Sequence, residues 1–80
     1  MKLCKLEKVV SGENPIVRLT FKTWTGKIIV RDAYKVKEFS FWRYVDTGES
    51  TYRGGVEIAL KNFHANNLDV FFVNGENNKS

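Results

Sequence analysis

The stretch Val17-Arg18-Leu19-Thr20-Phe21-Lys22-Thr23-Trp24-Thr25-Gly26-Lys27-Ile28-Ile29-Val30-Arg31 decides how this chain folds. Val17, Leu19 and Phe21 alternate with Arg18, Thr20 and Lys22, the two-residue period of a strand with one buried face. Thr25-Gly26 marks a tight reversal, and residues 27–31 follow as the partner strand of a hairpin. A two-residue turn would set Trp24 opposite Lys27, Lys22 opposite Ile29 and Thr20 opposite Arg31. Cross-strand partners share a face. One face then carries Arg18, Thr20, Lys22, Trp24, Lys27, Ile29 and Arg31, with no acid among them. The other carries Val17, Leu19, Phe21, Ile28 and Val30.

Upstream, residues 2–10 read as a strand whose alternation is imperfect, because Cys4, Leu6 and Val10 fall in phase with Lys2 and Lys8. Ser11-Gly12-Glu13-Asn14-Pro15 is a turn cluster. Downstream, the aromatics Phe39, Phe41, Trp42 and Tyr44 favour a strand over about 37–45, since aromatic rings suit a pleated surface better than a helix. The spacing of Val36, Phe39, Trp42 and Val45 also admits a helix there. Asp46-Thr47-Gly48-Glu49-Ser50 is a loop. Val56, Ala59, Leu60 and Phe63 form an i, i+3, i+4, i+7 stripe, which predicts a helix over about 52–65 with Ser50 or Thr51 as its cap. Asn66-Asn67 offers a left-handed stop. Leu68 to Val73 is apolar at five of six positions and reads as a strand buried on both faces, inside the sheet.

The order is β-β-β-β-α-β. The fold class expected is α+β, a small antiparallel sheet of about five strands with one helix packed on one face. Residues 1–73 form a single compact domain, and the polar end, 74–80, a disordered tail. The far face of the sheet is left to water or to a partner. Trp42 and Tyr44 extend that face if their strand lies in the right register.

Composition narrows the function. Eighty residues are too few for a barrel of βα units or a doubly wound nucleotide domain. The chain is 42% apolar and 28% charged, ordinary for a folded protein. No apolar run approaches the roughly 20 residues of a membrane span, and the charged start argues against export. One cysteine, Cys4, excludes an internal disulfide and fits a reducing cytoplasm. Charge is uneven. Residues 1–43 hold ten Lys and Arg against four acids, and residues 44–80 hold three against five. The basic half is the expected surface for an anionic partner.

Catalytic patterns are missing. One Cys and one His stand sixty positions apart, with no metal-binding pair at either. Neither GxxxxGK[ST] nor GxGxxG occurs. His64 beside the helix stripe reads as a boundary residue and Cys4 as a small core residue. Gly54-Gly55 reads as a loop-to-helix turn that needs permissive dihedrals. Asp46, Glu49 and Glu57 lie near one another in sequence, without the buried setting that would make an acid–base pair. Asp46-Thr47-Gly48 resembles the tripeptide of dimeric aspartic proteases, but a β-turn explains Asp and Gly there directly.

Strands followed by Thr51–Asn66, with Ala59-Leu60 on a helix, look something like the β-β-β-α half of a double-stranded-RNA-binding domain. The lysines expected at that helix start are missing, and only Arg53 stands there. In size and Asn/Lys-rich style the chain also resembles small accessory proteins of phages and plasmids, anti-CRISPR proteins among them. That resemblance implies inhibition of a host protein machine by surface contact.

The expectation is a non-enzymatic, cytoplasmic binding protein without cofactor or metal. Its partner is nucleic acid or a nucleoprotein complex, with a homodimer as a further possibility. The binding residues expected are Arg18, Lys22, Trp24, Lys27, Arg31, Trp42 and Tyr44. Cations track phosphates and aromatic rings stack on unpaired bases, and sheets that bind single strands combine the two.

Overall fold

The computed structural model describes residues 1–36, 41–52 and 55–73. Five strands and one helix follow in the order β1 (Lys2–Val10), β2 (Ile16–Lys22), β3 (Ile28–Lys35), β4 (Trp42–Tyr44), α1 (Val56–Ala65) and β5 (Val70–Phe72). The sheet is antiparallel throughout, with spatial order β4-β3-β2-β1-β5. The first four strands form a meander. After α1, the chain returns to pair β5 with β1. The α+β class and the element order are those expected. The likeness to a double-stranded-RNA-binding half extends no further than strands preceding a helix.

β1 keeps its apolar residues inward through a bulge. Leu3 pairs with Phe21 and Leu6 with Leu19, and the register slips by one between Leu3 and Lys5. Cys4 is the extra residue, so Leu3, Cys4 and Leu6 are all buried while Lys2 and Lys5 point to the other face. That slip accounts for the imperfect alternation of the sequence. Leu3, Leu6, Val17, Leu19, Phe21, Ala33 and Trp42 pack with Val56, Leu60 and Phe63 of α1 into one core.

The helix begins later than the expected 52–65. Gly55 is its N-cap, in the left-handed conformation at φ 74°, and no side chain caps it. Thr51 instead turns inward, where its hydroxyl meets the Glu57 carboxylate and the Trp42 carbonyl. The helix end follows expectation. Asn67 is left-handed at φ 51°, Leu68 N–H donates to Phe63 O (3.2 Å) and Asn67 N–H to His64 O (3.0 Å). This pair of bonds is a Schellman motif, and Leu68 packs on the core.

Two strand expectations are corrected. β4 spans only Trp42–Tyr44 of the expected 37–45, and residues 37–40 lie outside the described residues. β5 is an edge strand, not an inner one: it has β1 as its one neighbour, and Val70 and Phe72 remain 45% and 37% exposed. A run apolar at nearly every position signals two covered faces only when strands lie on both sides. Here α1 covers one face, taking Phe71, and the other is open. At the opposite edge, residues 49–51 run back along β4: Tyr44 N–H donates to Glu49 O, Thr51 N–H to Trp42 O, and Arg43 bridges Ser50. The expected tail, 74–80, lies outside the described residues.

Candidate nucleic-acid interface

The β2–β3 connection sets which side chains reach the open face. Thr23 N–H donates to Lys27 O (2.8 Å), Gly26 N–H to Thr23 O (2.9 Å), and Lys27 N–H to the Thr23 hydroxyl (3.0 Å). The loop is therefore the three residues 24–26, closed by Gly26 at φ 91°. One extra loop residue shifts the register by one. Lys22 pairs with Ile28, Phe21 with Ile29, Thr20 with Val30 and Arg18 with Asp32. Such a shift exchanges the faces of the whole strand. Ile29 and Arg31 move to the helix side, while Ile28 and Val30, each 53% exposed, come to the open face.

The seven expected binding residues consequently separate. Trp42 is 1% exposed, in the core, with its ring edge-on to His64 at 6.0 Å between centroids. Tyr44 pairs with Ala33 and packs against the same core, and burial raises its pKa. Arg31 lies 3.6 Å over the Tyr44 ring and pairs with Asp46 at 2.8 Å. Its hydrogen bond holds the Asp46 carboxyl below the ordinary carboxylate range. Arg31, Trp42 and Tyr44 thus serve the fold's helix side. Arg18 is on the open face, bonded to Asp32 (3.0 Å), with Glu7 across the strand pair; both acids hold its charge more firmly.

Lys22 and Trp24 remain together at the hairpin end of the sheet, whereas Lys27, opposite Thr23 and in phase with Ile29 and Arg31, leaves that face with them. Trp24 is 93% exposed on the loop. Lys2 joins them, because the register sets it directly opposite Lys22. Sequence reasoning missed Lys2; its spacing of three from Lys5 conceals that both face outward across a bulge. Lys5, one row further in, lies 3.5 Å from Glu7. Beyond it come the ion-paired Glu7, Arg18 and Asp32. Charge is therefore graded along the strands, from a cationic hairpin end to a balanced middle.

Met1, Lys2, Lys22, Thr23 and Trp24 enclose a shallow depression of about 360 Å³. A smaller cleft of about 130 Å³ lies at the other end, between the β1–β2 turn and the end of α1, lined by Lys8, Pro15, Trp42 and His64 among others. Cys4 is buried and its thiol lies 3.6 Å from Lys2 O, whereas His64 packs on Trp42; each has separate surroundings. No group of His, Cys, Asp and Glu able to hold a metal ion occurs among the described residues. No helix among them is long and apolar enough to cross a membrane.

Comparison with family models, with curated proteins and with solved structures returns no match.

Proposed function

We propose that this is a non-enzymatic, cytoplasmic binding protein that engages nucleic acid, free or in a nucleoprotein complex, through the hairpin end of its sheet. The observation that carries this reading is Lys2 directly opposite Lys22, beside a 93% exposed Trp24. No acid lines the depression among the described residues. The ammonium groups supply sequence-independent attraction to phosphates. The bare indole supplies a surface that folding alone leaves in water.

Fluorescence anisotropy with labelled oligonucleotides tests it. Two cations releasing counterions from a single strand give a salt slope of about −1.4, so affinity falls about 7-fold between roughly 50 and 200 mM salt. Lys22→Glu should abolish the binding at both salts. Absence of binding at the lower salt would end this reading.

A protein partner is the second reading, favoured by Ile28, Val30 and Val45, each 53% exposed. Ile28 and Val30 follow one another along the open side of β3, and Val45 lines a shallow hollow with Val30. In that case the chain acts as an accessory inhibitor of a host machine, with Trp24 as its anchor. Capture of a partner that resists salt and is lost in Val30→Lys would favour it.

A further inference from the structure

We infer that the ligand at the hairpin end is an unpaired strand, DNA or RNA, with one base stacked on Trp24 and little regard for sequence. The inference rests on the nucleic-acid reading above and adds three observations to it.

The first is where the ring stands. Trp24 sits on a three-residue loop, 93% exposed, and forms one wall of the depression with Met1, Lys2, Lys22 and Thr23. A duplex presents its base faces to one another, so a lone ring reaches them only by unstacking the helix. An unpaired base offers its face directly. The depression holds about 360 Å³, roughly twelve water volumes, which is room for one base and its sugar.

The second is reach. Lys22 and Lys2 stand opposite one another on neighbouring strands, which spans roughly 5 Å at the usual strand separation. That width serves the phosphates flanking one stacked base. It does not follow the two backbones of a duplex.

The third is that no planar edge-reading side chain lines the depression among the described residues. Its polar side chains are Lys2, Lys22 and Thr23, and the Thr23 hydroxyl is engaged by Thr25 (2.9 Å) and by Lys27 N–H. Among the described residues no Arg, Asn, Gln or acidic side chain, the planar groups that pair with a base edge in a fixed geometry, lines it, and the flexible lysines favour phosphate. Stacking and phosphate contact accept any base.

The test uses the full chain with short oligothymidylate, oligouridylate and a mixed-sequence duplex of equal length, at roughly 50 mM salt. Anisotropy reads affinity, and indole emission reads stacking, since Trp24 is exposed and Trp42 buried. Both single strands should bind about tenfold or more tightly than the duplex and quench the Trp24 emission. Trp24→Ala should weaken single-strand binding by about 5- to 150-fold, the range for one lost stack, and leave the duplex affinity unchanged. Trp24→Phe should restore most of the loss. Equal affinity for duplex and single strands, unmoved by Trp24→Ala, would overturn the inference and leave the phosphate-binding reading standing. Binding by oligouridylate alone would overturn the claim that DNA and RNA are both taken. Failure of every oligonucleotide to bind would remove both readings.

Discussion

Thr51→Val is the perturbation that reports most directly on how this fold is held together. Thr51 is 1% exposed and Glu57 5%. The Thr51 hydroxyl has one proton and two acceptors in reach, Glu57 Oε1 and Trp42 O at 3.3 Å. Trp42 O already accepts the Thr51 N–H at 3.1 Å, so the proton belongs on the carboxylate. Glu57 Oε2 is buried and has no partner. Valine keeps the shape of threonine and removes the side-chain donor that reaches Glu57 among the described residues. Removing one partner of a buried hydrogen bond leaves the other unsatisfied, at a cost of about 1–3 kcal/mol. The expected loss is about 2–3 kcal/mol, against a total of roughly 4–12 kcal/mol for a domain of this size. Thermal unfolding followed by circular dichroism should show Tm lower by about 8–20 °C. Glu57→Met in the Thr51→Val background should recover much of this, because an unpaired polar group costs more than an apolar pair. The double-mutant cycle should give a coupling of at least about 1 kcal/mol. A Thr51→Val protein melting within about 3 °C of the parent would refute the reasoning. So would a Glu57→Met shift of equal size in both backgrounds.

Other outcomes follow from the packing and the ion pairs. Leu60→Ala, at a fully buried position between helix and sheet, should cost about 2–5 kcal/mol in urea unfolding, a large fraction of the stability of the domain. Gly26→Ala should cost about 1–3 kcal/mol although no atom lies within 4 Å of the added carbon, because φ of 91° strains any side chain. Gly26→Asn should cost less. Arg31 holds the Asp46 carboxyl below its ordinary value of 3.8, so this pair's contribution is present above that pH and is lost as pH falls through the lowered native value. A titration of the Asp46 carboxyl by NMR should have its midpoint below 3.8, and Asp46→Asn should flatten that part of the acid limb of the stability curve.

The sequence made the covered side of β2 legible, because Val17, Leu19 and Phe21 keep strict alternation beside polar neighbours. The helix stripe was legible for the same reason. Its start was not: Ser50 and Thr51 suit a cap, but burial of Thr51 against Glu57 is a tertiary choice. The face of β3 turned on one loop residue. Trp24-Thr25-Gly26 and Thr25-Gly26 are both plausible turns, and the decision rests on Thr23 holding the Lys27 amide. Isoleucine and valine at 28–30 are apolar at three consecutive positions, so hydropathy could not arbitrate between the two phases. The candidate site was legible only where it does not depend on that phase, at Arg18 and Lys22 on β2 and at Trp24 in the loop; Lys27 moved with Ile29 and Arg31. Arg31 and Tyr44 fell to the helix side with the register, and Trp42, the largest apolar surface on β4, went to the core.

The pairing of β5 with β1 dictates when the sheet can be finished. Leu6 and Phe71 face each other across 65 positions of chain, whereas β1, β2 and β3 each pair with the next strand in sequence. Closing a span of that length costs roughly 4 kcal/mol in chain entropy beyond a constant, well above the closure of a three-residue loop. The meander can therefore assemble while synthesis proceeds, but β1 keeps a bare edge, and Leu6 an incomplete cover, until residues 70–72 leave the ribosome. For that interval the strand bearing Lys2 and Lys5 is the growing edge of an unfinished sheet, and its charges are what discourage a neighbouring chain from taking the place of β5.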